Sequence, residues 1–148
     1  MTEPPHILDV EALFYPHLAD LLRRGAERAL AAAGATHERV QVPGAFEVPA
    51  AIGIVARAVG RFDGYVALGC VIRGETTHYD HICAESARGL QELAVRDGLA
   101  IGYGILTCEN EAQALARAAP EGRDHAGAAV RACLAIVELK RRFAQGGA

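Results

Sequence analysis

Asp63-Gly-Tyr-Val-Ala-Leu-Gly-Cys-Val-Ile72 is a continuous apolar run without the alternation of a half-exposed strand, as a central β-strand covered on both faces requires. Outward toward the N-terminus, Glu47–Val59 reads as a helix closed by Gly60, and Arg39–Pro43 as a strand. Before them, Leu18, Leu21, Leu22, Ala26, Ala29 and Leu30 recur at three- and four-residue steps between charged residues. That spacing predicts an amphipathic helix over His17–Ala33, with Pro16 at its start and Gly34 at its end. His6–Ala12, carrying Ile7, Leu8 and Val10, is a further short strand. Outward toward the C-terminus follow a helix over about His78–Asp97, a last strand over Leu99–Leu106, and helices over Glu111–Ala118 and Asp124–Ala144.

Strands that alternate with helices at this spacing are joined by right-handed crossovers. The fold predicted is a small doubly wound α/β domain: a four-stranded parallel sheet with helices on both faces, in three layers. The length of 148 residues suits one domain over 1–148, with Met1–Pro5 and residues 145–148 reading as frayed ends. A hydrophobic content of 51% with 22% charged residues is globular. The net charge of −3 has the wrong sign for nucleic acid or an anionic membrane surface. No basic segment leads into an apolar stretch near Met1 and no apolar run reaches the roughly 18–20 residues of a membrane helix, so a cytoplasmic protein is expected.

Several chemistries are excluded by what is scarce. The four cysteines (Cys70, Cys83, Cys108, Cys133) show no Cys-x-x-Cys and no Cys/His spacing suited to a metal, and read as reduced core thiols. The only serine, Ser86, is not in a Gly-x-Ser-x-Gly elbow, and no Gly-Lys-Ser or Gly-Lys-Thr phosphate loop occurs. The only lysine, Lys140, lies in a charged Lys-Arg-Arg cluster that reads as a solvated helix end, a poor place for Schiff-base chemistry.

In a doubly wound sheet, ligands bind beyond the carboxyl ends of the strands. Those segments are Leu13-Phe14-Tyr15, Gly44-Ala45-Phe46-Glu47, Cys70 to His78, and Tyr103 with Thr107; three of the four carry an aromatic ring in a chain with 5% aromatics. Rings there could stack on a planar heterocycle. In Arg73-Gly-Glu-Thr-Thr-His78, a glycine and two threonines precede a helix whose first N–H groups lack intrahelical partners, which favours an anion near Glu75 and Thr76. His78 would then be within reach of the same ligand, and an imidazole, with an ordinary pKa of about 6.5, both gives and takes protons at cellular pH. A plain reading stays open, with Thr76 or Thr77 an N-cap and His78 a polar first-turn residue. Arg117 could close on a phosphate with its planar fork, or lie solvated on a helix face. Glu47 could complement a helix dipole, or hydrogen-bond a polar ligand while Phe46 packs on it. Asp9 and Glu11 read as edge or strand-end polar residues.

Together, Val42-Pro-Gly-Ala-Phe-Glu-Val-Pro49, Ala67-Leu-Gly-Cys-Val-Ile-Arg-Gly-Glu-Thr-Thr-His-Tyr-Asp80 and Gly104-Ile-Leu-Thr-Cys-Glu-Asn110 resemble the 6,7-dimethyl-8-ribityllumazine synthase family from about His6 to Phe143. The resemblance implies a flavodoxin-like fold. It also implies condensation of 5-amino-6-(D-ribitylamino)uracil with 3,4-dihydroxy-2-butanone 4-phosphate, releasing phosphate and water, in the penultimate step of riboflavin synthesis. The resemblance implies no metal or organic cofactor, and because the imine forms between the two substrates it requires no lysine amine from the enzyme. By the family's pattern Phe14 stacks on the pyrimidine, Ala45, Phe46 and Glu47 hold the ring and ribityl chain, and Cys70, Val71 and Ile72 line the same pocket. Glu75 and Thr76 give amides to the phosphate, Arg117 its guanidinium, and His78 carries the proton. Tyr103 falls where the family places a residue from the neighbouring subunit's side of the site. Pentamer-based assemblies with sites shared between adjacent subunits are implied as well.

This chain departs from the pattern twice. Phe14-Tyr15 stands where the family usually has Phe-Asn, and His125-Ala126 where it usually has Lys-Gly. The second exchange removes a fixed cation and predicts phosphate binding that weakens from about pH 6 to about pH 8. Two other classes compete with an enzyme. A paralogue that binds lumazine or riboflavin without turnover has only His125 in its favour. A receiver-type signalling domain would need clustered aspartates after the first strand, which are missing.

Overall fold

A computed structural model describes residues 3–144 of the chain; of the expected frayed ends, Met1–Pro5 and residues 145–148, residues 1–2 and 145–148 lie outside the described residues. The elements in chain order are β1 (His6–Ala12), α1 (Pro16–Ala32), β2 (Thr36–Val42), a 3-10 turn at Ala45–Glu47, α2 (Val48–Ala58), β3 (Gly64–Ile72), α3 (His78–Asp97), β4 (Ile101–Cys108), α4 (Glu111–Ala118) and α5 (His125–Ala144). The strands form one parallel sheet in the order β2-β1-β3-β4, the three-layer doubly wound fold that the sequence predicts.

Alternation along the strands sorts the core. Ile7, Val66, Leu68, Cys70, Leu106 and Cys108 pack against Leu18, Leu22 and Leu30 of α1, Ala114 of α4 and Val130, Cys133 and Val137 of α5. Leu8, Val10, Tyr65, Ala67 and Ile105 pack on the other face against Val48 and Ile52 of α2 and Leu90 and Leu93 of α3. The run of buried residues along β3 follows, because both of its faces are covered. α5 lies so close to β4 that a Cβ at Gly102 would collide with the carbonyl oxygen of Ala129, and one at Gly104 would stand 3.2 Å from the Ala129 Cβ. α3 ends on Gly98 at φ 65°, a left-handed cap that glycine adopts without a Cβ penalty.

Several boundaries differ from the sequence reading, three of them for a visible reason. β2 starts at Thr36, not Arg39, because pairing of His6 with Thr36 and a Thr36 N–H bond to the Pro5 carbonyl (3.0 Å) fix its start. β4 runs from Ile101 to Cys108 because β3 holds it to the pairing of Ile72 with Cys108. The helix expected from Glu47 begins one residue later, after the 3-10 turn and with Pro49 in its first turn.

Asp9 and Glu11 are not edge residues. β1 lies between β2 and β3, and the two carboxylates are only 2% and 1% exposed. Glu11 is matched by Arg23, whose Nε lies 3.0 Å from Oε2 and whose second nitrogen lies 3.1 Å from Oε1, and by Arg39 at 3.4 Å. Asp9 meets His37 at 2.8 Å through one oxygen, while its Oδ1 has no partner among the described residues. Burial outweighs the pull of His37 and lifts the Asp9 carboxyl from 3.8 to about 6.

A carboxyl raised on folding stabilises the fold while it is protonated, and that contribution disappears as pH rises through the folded value. For Asp9 the window is therefore about pH 4 to pH 6. In urea unfolding, the stability of Asp9→Asn relative to wild type increases by about 2–3 kcal/mol between pH 4 and pH 7, whatever constant cost the amide carries. A pH-independent difference contradicts this. Gly102→Ala pushes α5 off β4 and lowers stability by about 1–3 kcal/mol, read as a lower urea midpoint.

Candidate active site

β1 connects outward to β2, whereas β3 connects outward to β4, so the chain leaves the two central strands in opposite directions. β1 and β3 pair only as far as Glu11 opposite Leu68, yet β3 continues to Ile72 along β4. The tips therefore diverge, and the crevice opens at the topological switch point where doubly wound sheets bind ligands. A cleft of about 710 Å³ occupies it, lined by Phe14, Tyr15, Pro43, Gly44, Ala45, Phe46, Glu47, Cys70, Val71, Ile72, Gly74, Thr76, His78, Tyr79 and Ile82.

One end of the cleft is aromatic. Leu13 donates its N–H to the Val42 carbonyl at 3.0 Å and fixes the chain leaving β1, which then presents Phe14 with 70% of its surface exposed. Tyr15 meets Phe14 edge-on, with centroids 4.9 Å apart and planes at 84°. Burial holds its phenol above the ordinary value, and its side chain lines the cleft beside Ile72 at the tip of β3. Across the cleft, the 3-10 turn after Gly44 is held by the Glu47 N–H bond to the Gly44 carbonyl (3.2 Å) and carries Phe46, 55% exposed. Large rings left in water on both walls suit a flat partner that would cover them.

The other end is polar. Residues 73–78 are all exposed, and the amides of Glu75 and Thr76 are taken by no protein acceptor among the described residues. Thr77 is the N-cap of α3 but makes no side-chain cap bond. Thr76 Oγ1 instead accepts from the His78 N–H at 3.3 Å. The helix thus begins with free donors and an aligned dipole, an arrangement that receives anions. The floor between the two ends is Cys70, Val71 and Ile72. Burial and the neighbouring Cys108 push the Cys70 thiol up to about 12, so it is a neutral wall group and not a thiolate nucleophile.

Nine of the residues singled out in the sequence meet in this cleft: Phe14, Ala45, Phe46, Glu47, Cys70, Val71, Ile72, Thr76 and His78. Glu75 belongs to the same exposed loop without lining the cleft. Tyr103 and Arg117 stand apart. Tyr103 is half exposed on the edge strand β4, where burial and Cys83 raise its phenol pKa. Arg117 is half-buried on α4, donating to the Gln113 carbonyl at 3.1 Å. Its charge is felt at Cys108 and at His125. Tyr15, Tyr79 and Ile82 belong to the cleft although the motifs did not single them out as site residues. For Ile82 the signal was its four-residue spacing from His78, which puts both on one helix face.

Among the described residues, no three His, Cys, Asp or Glu side chains are placed to hold a metal ion, and no helix is long and apolar enough to cross a membrane.

Residues 5–141 match the sequence model of 6,7-dimethyl-8-ribityllumazine synthase. The chain is 57% identical to the 6,7-dimethyl-8-ribityllumazine synthase of Sphingopyxis alaskensis over 141 residues, covering 95% of this chain and 99% of that one. It is 53% identical to 6,7-dimethyl-8-ribityllumazine synthase 1 of Rhizobium meliloti, covering 95% of each. The corresponding protein of Erythrobacter litoralis is 54% identical over 136 residues, covering 92% of this chain and 96% of its own. With a cleft that pairs exposed rings with free helix amides, and with relatives matched end to end at this identity, the chain belongs to the 6,7-dimethyl-8-ribityllumazine synthase family.

Proposed function

We propose that this chain condenses 5-amino-6-(D-ribitylamino)uracil with 3,4-dihydroxy-2-butanone 4-phosphate to 6,7-dimethyl-8-ribityllumazine, phosphate and water, in the cytoplasm and as a pentamer-based homo-oligomer. The observation that carries the reading is that one cleft has exposed Phe14 and Phe46 rings at one end and the free amides before α3 at the other. The pyrimidine stacks on Phe14, with Ala45, Phe46 and Glu47 holding the ring and ribityl chain over the floor of Cys70, Val71 and Ile72. The phosphate docks on the amides of Glu75 and Thr76.

Held this way, the pyrimidine's amine meets the ketone of the second substrate as an intramolecular neighbour. Effective molarities of about 10⁵–10⁸ M then supply most of the acceleration. His78, at the first position of α3, moves protons between attack, imine formation and loss of phosphate, a contribution of roughly 10²–10⁴-fold. Because the reacting amine comes from substrate, the chain needs no catalytic lysine.

Tyr103 and Arg117 act from outside their own cleft. In a ring of subunits, the end of β4 and the junction of α4 with α5 would serve a neighbour's site, Arg117 on its phosphate and Tyr103 on its ring. Their distance from this chain's cleft supports shared sites, as do exposed apolar side chains at Ile54, Val95 and Leu115. Light scattering then gives a mass of five 15.6 kDa chains or a multiple of five; a monomer contradicts the assembly.

Mixing both substrates with the protein produces lumazine absorbance and fluorescence well above the uncatalysed background. Ligand binding without acceleration would instead establish the non-catalytic paralogue. His78→Ala lowers turnover by roughly 10²-fold or less if positioning dominates, whereas abolished turnover shows that proton transfer limits.

His125 is the chain's own variation on the phosphate end. Burial first, then Arg117 and Arg123, hold its imidazole below the ordinary 6.5. Its positive charge is present below that lowered value and gone by neutral pH, so the rise in KM for the phosphorylated substrate falls mainly below pH 7 and not across pH 6–8. Dividing wild-type KM by that of His125→Lys at each pH cancels the titration of the substrate's own phosphate. The ratio climbs as pH increases through the acid range and is level above neutrality. A ratio flat from pH 5 to pH 8 removes His125 from the site.

A further inference from the structure

Arg73 is the last residue held by the β3–β4 ladder, its N–H donating to the Cys108 carbonyl at 2.9 Å. Beyond it, Gly74–Thr77 run exposed to the start of α3. Its side chain is engaged three times: Nε donates to Glu109 Oε1 at 2.8 Å, a terminal nitrogen lies 3.5 Å from Asp80 Oδ1, and the guanidinium stacks 4.3 Å over the Tyr79 ring. Glu109 is itself an anchored partner. Its N–H donates to Gln113 Oε1 at 2.8 Å, while the Gln113 N–H donates to Asn110 Oδ1 at 2.9 Å, a reciprocal cap that fixes the entry to α4. Arg73 therefore spans the two chain tips beyond β3 and β4 and the first turn of α3.

We propose that Arg73, through Glu109, is a positioning residue that holds the Gly74–Thr77 loop in the shape its amides need to receive the phosphate; this rests on the anion end of the cleft assigned above. Two carboxylates and a ring face already occupy the guanidinium, so it acts as a brace and not as a ligand. Exposed ion pairs of this kind contribute little to global stability, about 0.2–1 kcal/mol each. A displacement of the amides by about 1 Å, in contrast, costs up to roughly 10²-fold in function. Lysine cannot replace the brace, since it lacks the planar fork and stacks poorly.

The sign of two substitutions separates the brace from a simple charge effect. Glu109→Gln removes a negative charge beside the anion end, and Arg73→Lys keeps the positive one. On charge alone, the first tightens phosphate and the second leaves it unchanged. The brace predicts that each raises the KM for the phosphorylated substrate and the dissociation constant of inorganic phosphate by roughly 3- to 10-fold, with the KM for the pyrimidine within about twofold of wild type. Phosphate affinity that is unchanged or tighter in both variants overturns the proposal, as does an equal rise in both KM values. Inorganic phosphate is titrated against the full chain without turnover. A wild-type protein that binds phosphate but forms no lumazine therefore refutes the enzymatic reading while still testing the brace.

Discussion

The candidate active site depends on a mismatch in length between two neighbouring strands. β1 stops pairing with β3 at Glu11 opposite Leu68, while β3 is carried four residues further by β4. The parallel ladder fixes where each strand ends, and the opposite directions of the two outgoing connections keep any later segment from filling the gap. The Phe14–Tyr15 pair, the turn after Gly44 and the first turn of α3 therefore converge on one crevice. Close seating of α5 on β4 through Gly102 and Gly104 supports the same geometry, because the alignment of β4 holds the tip of β3 in place.

Much of this was legible in the sequence, for identifiable reasons. β3 could be recognised because burial on both faces leaves no room for polar alternation. α1 could be recognised because its apolar spacing is regular and bounded by Pro16 and Gly34. β2 was read too short because an edge strand is defined by its partner's register, and no apolar run marks Thr36. Asp9 and Glu11 were misplaced because polarity in a strand ordinarily signals exposure. Their real surroundings come from Arg23, Arg39 and His37, on two other elements. Residues adjacent in sequence to a strand end line the cleft as the sequence suggests, whereas Tyr79 and Ile82 enter it through the pitch of α3 and Tyr103 and Arg117 do not line it.

Arginine handles nearly all cationic work in this chain, since Lys140 is the only lysine. Arg23 and Arg39 neutralise a buried carboxylate, Arg73 braces an exposed loop, and Arg117 sits beside His125 at the junction of α4 and α5. Each task uses direction as well as charge, which a planar fork supplies and an ammonium does not. His125 is the exception: it offers charge only when protonated, and its surroundings disfavour that form. The junction of α4 and α5 therefore combines the permanent charge of Arg117 with one imidazole whose charge depends on pH.

The central claim is that a flat heterocycle and an anion occupy opposite ends of the same crevice between β1 and β3. Crystals grown with an unreactive ribitylaminopyrimidine and inorganic phosphate test it most directly. The account predicts the heterocycle against Phe14 and Phe46 and the phosphate within hydrogen-bond distance of the Glu75 and Thr76 amides. Density for both compounds elsewhere on the protein would contradict it.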